Sequence, residues 1–146
     1  IKYYHRKDLV PPLAAVAAFE IGKAIDRKLS SVDWVLVPVP MPRIRKYLRG
    51  YNQAEVIAKE ISKLLNIEVD QNILTRSRTP RRQVKSHSRS DRLKNQHNSF
   101  KTLKDVSGLN IIIVDDVTTT GATINEVKDL LLKHRARNVK AVTLAH

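Results

Sequence analysis

The chain has 146 residues, and 27 Lys and Arg against 14 Asp and Glu leave a net charge of +13. A 42% hydrophobic content supports a core and the length fits one domain over 1–146, while the absence of Cys excludes disulfide frameworks, thiol nucleophiles and thiolate metal sites. The longest apolar run, near residues 13–19, is too short to cross a bilayer and no secretory pattern opens the chain, so a cytoplasmic protein without membrane insertion is expected.

In chain order, residues 13–29 predict a helix with Leu13, Val16, Ala17, Ile21, Ala24 and Ile25 at helical spacing, entered through Pro11 and Pro12. Residues 33–39 predict a buried strand stopped by Pro38, Pro40 and Pro42. Residues 52–65 predict an amphipathic helix with Ala54, Ile57, Ala58, Ile61, Leu64 and Leu65 on one stripe; Asn52 and Glu55 have the spacing of a capping box. A short strand is expected at 67–69.

Residues 75–97 are polar, basic and without apolar periodicity. Residues 110–114 then form a continuous apolar run, as a strand buried on both faces would. A helix over 121–135, with Ile124, Val127, Leu130 and Leu131 inward, and a strand over 138–144 complete the chain. The alternation implies an α/β fold, a parallel sheet with helices on its faces. Ligands in such folds sit at the carboxyl ends of strands, which places the loops 38–51 and 115–123 on one rim.

The segment from Ile111 to Thr123 carries the chemistry. A buried strand ends in Asp115 and Asp116; Val117, Thr118, Thr119, Thr120, Gly121, Ala122 and Thr123 follow, and a helix begins. Free N–H groups at a helix start suit an anion, and Gly121 lets the backbone come close to it. The threonine hydroxyls add donors, and a phosphate monoester is the natural guest. The two carboxylates would repel that phosphate but would accept hydrogen bonds from a sugar diol, with a divalent cation nearby. Together these make the footprint of a ribose 5-phosphate. The plain alternative is Thr123 with Glu126 as a capping box and the Asp pair as strand-end polarity.

The second constellation runs Val37-Pro-Val-Pro-Met-Pro-Arg43, then Arg45, Lys46 and Arg49. Prolines stiffen the turn off the strand, and rigid backbone beside cations suits a pyrophosphate. A strand terminator followed by a solvated basic loop is the competing reading.

On these residues the chain resembles a known family. Val114 to Thr123 resembles the phosphoribosyl-pyrophosphate (PRPP) motif of type I phosphoribosyltransferases. Leu36 to Pro40, Arg49 to Glu55, Arg76 to Pro80, Gln83, Ser88, Arg89, Arg92, Asn95 and Ser99-Phe100 are similar to the ComF, or GntX-like, branch. The resemblance implies a Rossmann-like three-layer fold with a basic flexible insertion at 76–97. It implies the 5-phosphate at 118–123, the ribose hydroxyls at Asp115 and Asp116, and Mg²⁺ held there through ligand or water. Pyrophosphate would lie on Val39, Pro40, Met41 and Arg43. The reaction implied is phosphoribosyl transfer to an unidentified acceptor, with loss of pyrophosphate. The family's cysteine-rich zinc module has no counterpart in this Cys-free chain. Purine-salvage members carry a carboxylate base where Thr119 stands, and a threonine does not act as a base near neutral pH.

The basic segment, with Arg76, Arg78, Arg81, Arg82, Lys85 and Arg89, has three readings. It is a loop that closes over pyrophosphate, a track for single-stranded nucleic acid, or a solvated loop. His87 and His97 flank it without metal-ligand spacing. The ComF resemblance also implies an accessory role in competence, with single-stranded DNA and a DNA-uptake helicase as partners. The 5% aromatic content argues against a base-stacking platform as the main device.

Overall fold

The computed structural model describes residues 7–25, 33–77, 99–118 and 120–145. The expected positions Arg78, Arg81, Arg82, Lys85, Arg89 and Thr119 lie outside these. A 3-10 turn at Lys7–Leu9 leads into α1 (Val10–Ala24). There follow β1 (Trp34–Pro38), α2 (Arg43–Arg49), α3 (Gln53–Leu65), β2 (Glu68–Val69), β3 (Leu74–Arg76) and β4 (Phe100–Thr102). β5 (Asn110–Val117), α4 (Ala122–Lys133) and β6 (Asn138–Ala145) end the chain.

Four strands form one parallel sheet in the order β2-β1-β5-β6. β5 reads Asn-Ile-Ile-Ile-Val because both of its faces are covered. Successive side chains point to opposite faces. Ile112 and Val114 join Trp34 and Leu36 under α1 and α3, whereas Ile111 and Ile113 join Val37 under α4. The result is three layers, helices on either side of the sheet.

β1 and β5 run in register from Trp34 opposite Asn110 to Pro38 opposite Val114, and the Val39 amide donates to the Val114 carbonyl at 2.9 Å. β1 therefore ends opposite Val114, while β5 runs on to Val117 and carries Asp115 and Asp116 past the end of β1. The loop after β1 and the loop after β5 emerge side by side, on one rim.

Three expectations are corrected. α1 starts at Val10 and buries Val10, Ala14, Ala17, Ala18 and Ile21, while Leu13 and Val16 are exposed. In an Ala-rich stretch small residues allow close approach to the sheet, so the larger side chains end on the outer face. Residues 43–49, taken as a basic loop, are helical: Pro42 precedes α2 and Gly50, at φ 79°, ends it. Residues 75–97 do not wholly lack structure, because β3 pairs antiparallel with β4, Arg76 opposite Phe100. Ile73, next to this strand pair, and Leu74 and Phe100 within it pack under the α4 side of the sheet. Among the described residues no helix is long and apolar enough to cross a membrane.

Candidate functional site

At the carboxyl ends of β1 and β5 lies a cleft of about 360 Å³. Its first wall is the proline loop, Val39 to Pro42, followed by Arg45 and Arg49 of α2. Prolines fix this backbone, and Asn52 fastens it. The Asn52 side chain is buried; its Nδ2 donates to the Val39 carbonyl at 2.9 Å and its Oδ1 accepts from the Ala54 amide at 3.2 Å. One residue thus caps α3 and holds the loop. The expected capping box is half formed: Glu55 Oε1 meets Asn52 Nδ2 at 3.4 Å, side chain to side chain, and Lys46 Nζ at 3.4 Å.

The second wall is Asp115, Asp116 and Val117 at the tip of β5, with Thr123 of α4 beside them. Each carboxylate accepts from the next backbone amide, Asp115 Oδ1 from Asp116 at 2.9 Å and Asp116 Oδ1 from Val117 at 2.8 Å. These short bonds fix the carboxylates at the cleft wall and leave each with a second oxygen. Burial pushes the Asp115 carboxyl up to about 6, and the adjacent Asp116 charge adds to the rise. The Asp116 amide and the Arg76 guanidinium oppose it.

Arg76 completes the cleft from β3. Its Nε donates to the Pro40 carbonyl at 2.7 Å and its guanidinium lies 4.7 Å from the centre of the Phe100 ring. Burial lowers its pKa, Asp115 opposes that fall and Arg45 adds to it. The cleft therefore gathers three arginines, Arg45, Arg49 and Arg76, and two carboxylates in one lining, with Arg76 within electrostatic reach of Asp115.

The threonine loop differs from the expected open mouth. The Gly121 amide donates to Thr118 Oγ1 at 2.9 Å and the Ala122 amide to Thr120 Oγ1 at 3.3 Å. Two helix-start amides are thus held by hydroxyls of their own loop. Gly121, at φ 74°, precedes the helix. Thr123 and Glu126 form no capping box, because Glu126 Oε1 accepts from the Ser99 amide at 2.7 Å and pins the entrance of β4.

Of the residues expected at a pyrophosphate, Val39, Pro40 and Met41 line the cleft; Arg43 is exposed and does not, and Arg45 and Arg49 stand there. Read as a helix, the sequence would have shown this, since Arg45 and Arg49 are i and i+4 on one face. Arg76, grouped with the basic segment, belongs instead to the cleft. Thr118, Thr120, Gly121 and Ala122 sit at the head of α4, outside the cleft lining. Among the described residues no group of three or more His, Cys, Asp or Glu could hold a metal. A cation at the Asp pair would take its remaining ligands from substrate and water, which suits Mg²⁺.

Residues 51–146 match the phosphoribosyl transferase domain. The chain is 31% identical over 142 residues to the DNA utilization protein YhgH of Escherichia coli strain K12, covering 96% of this chain and 61% of that protein. It is 34% identical over 112 residues to Competence protein F of Haemophilus influenzae, covering 75% of this chain and 49% of that protein. The chain thus spans less than two thirds of the length of these relatives. Its fold is similar to that of a hypoxanthine-guanine phosphoribosyltransferase from Bacillus anthracis, with a TM-score of 0.58 and 17% identity over 93% of this chain and 68% of that one. With a parallel central sheet and a charged cleft at its carboxyl edge beside these matches, the chain belongs to the phosphoribosyl transferase domain family, as a ComF-like member of the type I phosphoribosyltransferases.

Proposed function

We propose that the cleft binds PRPP with Mg²⁺ and that the chain transfers the phosphoribosyl group to an acceptor, releasing pyrophosphate. The observation that carries this reading is the meeting of Asp115 and Asp116 with Arg45, Arg49 and Arg76 in one cleft. Carboxylates accept hydrogen bonds from the ribose hydroxyls, and guanidinium groups hold the diphosphate by charge-assisted bonds. The fixed backbone of Val39 to Met41 lies on the diphosphate side. The 5-phosphate would lie at the head of α4, where the Thr118 and Thr120 hydroxyls now occupy amides that an anion would take over. In the reaction the bond from the anomeric carbon to pyrophosphate breaks and a bond to the acceptor forms. Arginines facing the leaving group stabilise the charge it gains. Magnesium, when bound, neutralises part of that same charge.

The test is thermal unfolding with PRPP and Mg²⁺. At a hundredfold excess over Kd the ligand should stabilise by about 2.7 kcal/mol, and the double variant Asp115→Asn with Asp116→Asn should lose that gain. An unshifted melt of the parent protein would overturn the reading. Pyrophosphate release from PRPP, measured across a panel of acceptors, then tests turnover.

A second reading is an accessory role in DNA uptake or use, with binding of single-stranded DNA. The net charge of +13 and the names of the two relatives, DNA utilization and competence, support it. Affinity for an oligonucleotide that falls steeply with salt is the expected behaviour.

A further inference from the structure

α2 is an unusual helix, because none of its seven residues is buried. Ile44 and Leu48 are each 76% exposed and Tyr47 is 89% exposed. Large apolar side chains held this far into water, in contiguous positions, mark a binding surface. With about 100° between successive residues, Tyr47, Ile44 and Leu48 fall on one arc and Arg45 and Arg49 on another. The second arc faces the cleft. The apolar arc is turned away from it, toward solvent.

Four of the seven residues are cationic: Arg43, Arg45, Lys46 and Arg49. Arg43 borders the apolar arc at its start, and among the described residues neither Arg43 nor Arg45 has an ion-pair partner. Among the described residues Lys46 is tied only to Glu55, at 3.4 Å, and remains half exposed. An aromatic ring beside unneutralised cations, on a chain of net charge +13, is complementary to a polyanion that also carries flat apolar groups. Bases stack on aromatic rings while cations follow the backbone. A lipid headgroup supplies charge without a flat partner for Tyr47.

We propose that the outer face of α2 docks a single strand of nucleic acid, with Tyr47 stacked on a base, Ile44 and Leu48 against its neighbours, and Arg43 and Lys46 on phosphates. The inference rests on the DNA-binding reading above and places that contact on the rim of the cleft, outside the 76–97 segment. The strand then runs past a site whose own preferred chemistry is a phosphorylated pentose.

The test is fluorescence anisotropy of an oligothymidylate of about ten nucleotides, titrated with the full chain at several salt concentrations. Tyr47→Ala should weaken binding about tenfold, and Tyr47→Phe should retain it. Arg43→Gln should lower the salt slope by about one. The melting temperature and its rise with PRPP should be the same in all three variants, since these side chains are exposed and off the cleft. Parent-like affinity of Tyr47→Ala would overturn the placement while leaving DNA binding itself intact. No binding by the parent protein would overturn both. Unchanged oligonucleotide binding together with lost co-sedimentation on phosphatidylglycerol vesicles would assign the face to a membrane and overturn the proposal.

Discussion

Arg76 Nε donates to the Pro40 carbonyl at 2.7 Å across a separation of 36 residues, and so ties the β3–β4 strand pair to the loop after β1. The Phe100 ring backs the same guanidinium at 4.7 Å. Arg76→Ala should therefore cost about 2–3 kcal/mol in urea unfolding, from one charged hydrogen bond and one cation–π contact. Arg76→Lys keeps the charge but loses the Nε donor and the planar stack. It should recover less than half of that loss. If lysine restored parental stability, charge alone would explain the residue and the bond to Pro40 would carry no weight.

Asn52 makes the corresponding tie from the other side. Asn52→Ala removes the cap of α3 and leaves the Val39 carbonyl without its donor. The expected loss is about 2–4 kcal/mol, one cap plus one unsatisfied buried acceptor. Asn52→Asp restores the acceptor for the Ala54 amide but has no proton for Val39. It should remain destabilised at pH 7; full recovery would mean that only the cap matters.

What the sequence revealed follows from how each element is buried. β5 is covered on both faces, so its apolar run Asn110 to Val114 is continuous and readable. α3 buries Ala54, Ile57, Ala58 and Ile61, one stripe with polar residues opposite, and its phase is unambiguous. α1 is apolar on nearly every side, which hides its phase, and Ala14, Ala17 and Ala18 took the inner face in place of Leu13 and Val16. α2 buries nothing, so no stripe announces it. β3 and β4 have three residues each, too few to show alternation, and only their pairing brings Arg76 to the cleft. The position of Asp115 and Asp116 was legible because two adjacent carboxylates break the apolar run of β5 near its carboxyl end. Arg45, Arg49 and Arg76 became members of the site only through tertiary structure.

Gly121 has φ 74° just ahead of α4, and among the described residues a Cβ there would meet only Asn125 Nδ2, at 3.8 Å. The space is open, so a substitution is penalised by the backbone alone. Gly121→Ala should cost about 1–2 kcal/mol and Gly121→Asn less, since asparagine tolerates the left-handed region. Both should also weaken the rise in melting temperature with PRPP, because a side chain disfavours the left-handed backbone that aims the residue-121 amide at the head of the helix. A melt of Gly121→Ala identical to the parent's would show that the loop relaxes out of this conformation.

Asp115 sets the pH dependence. Its folded carboxyl titrates at about 6, against 3.8 for an ordinary aspartate, chiefly because it is buried. Below 3.8 both folded and unfolded forms are protonated. Between about 4 and 6 the folded protein keeps a proton that the unfolded chain has lost, so stability falls as pH rises through that window and is level above it. The loss is on the order of 1–3 kcal/mol, reduced from the full shift because the group is partly solvated. Asp70 and Asp105 shift the other way, from 3.8 downward, so their effect is confined to more acidic solution. Asp115→Asn should therefore stabilise the unliganded protein at pH 7.5 and flatten the slope from pH 4 to 6, while abolishing the response to PRPP. In the parent protein PRPP binding should strengthen as pH rises through 6, opposite in sign to the stability of the free protein, because the carboxylate form is the one that accepts the ribose hydroxyls. Melting curves from pH 4 to 8, with and without PRPP and Mg²⁺, measure both slopes. An Asp115→Asn protein whose unliganded slope matched the parent's would trace the effect to another group.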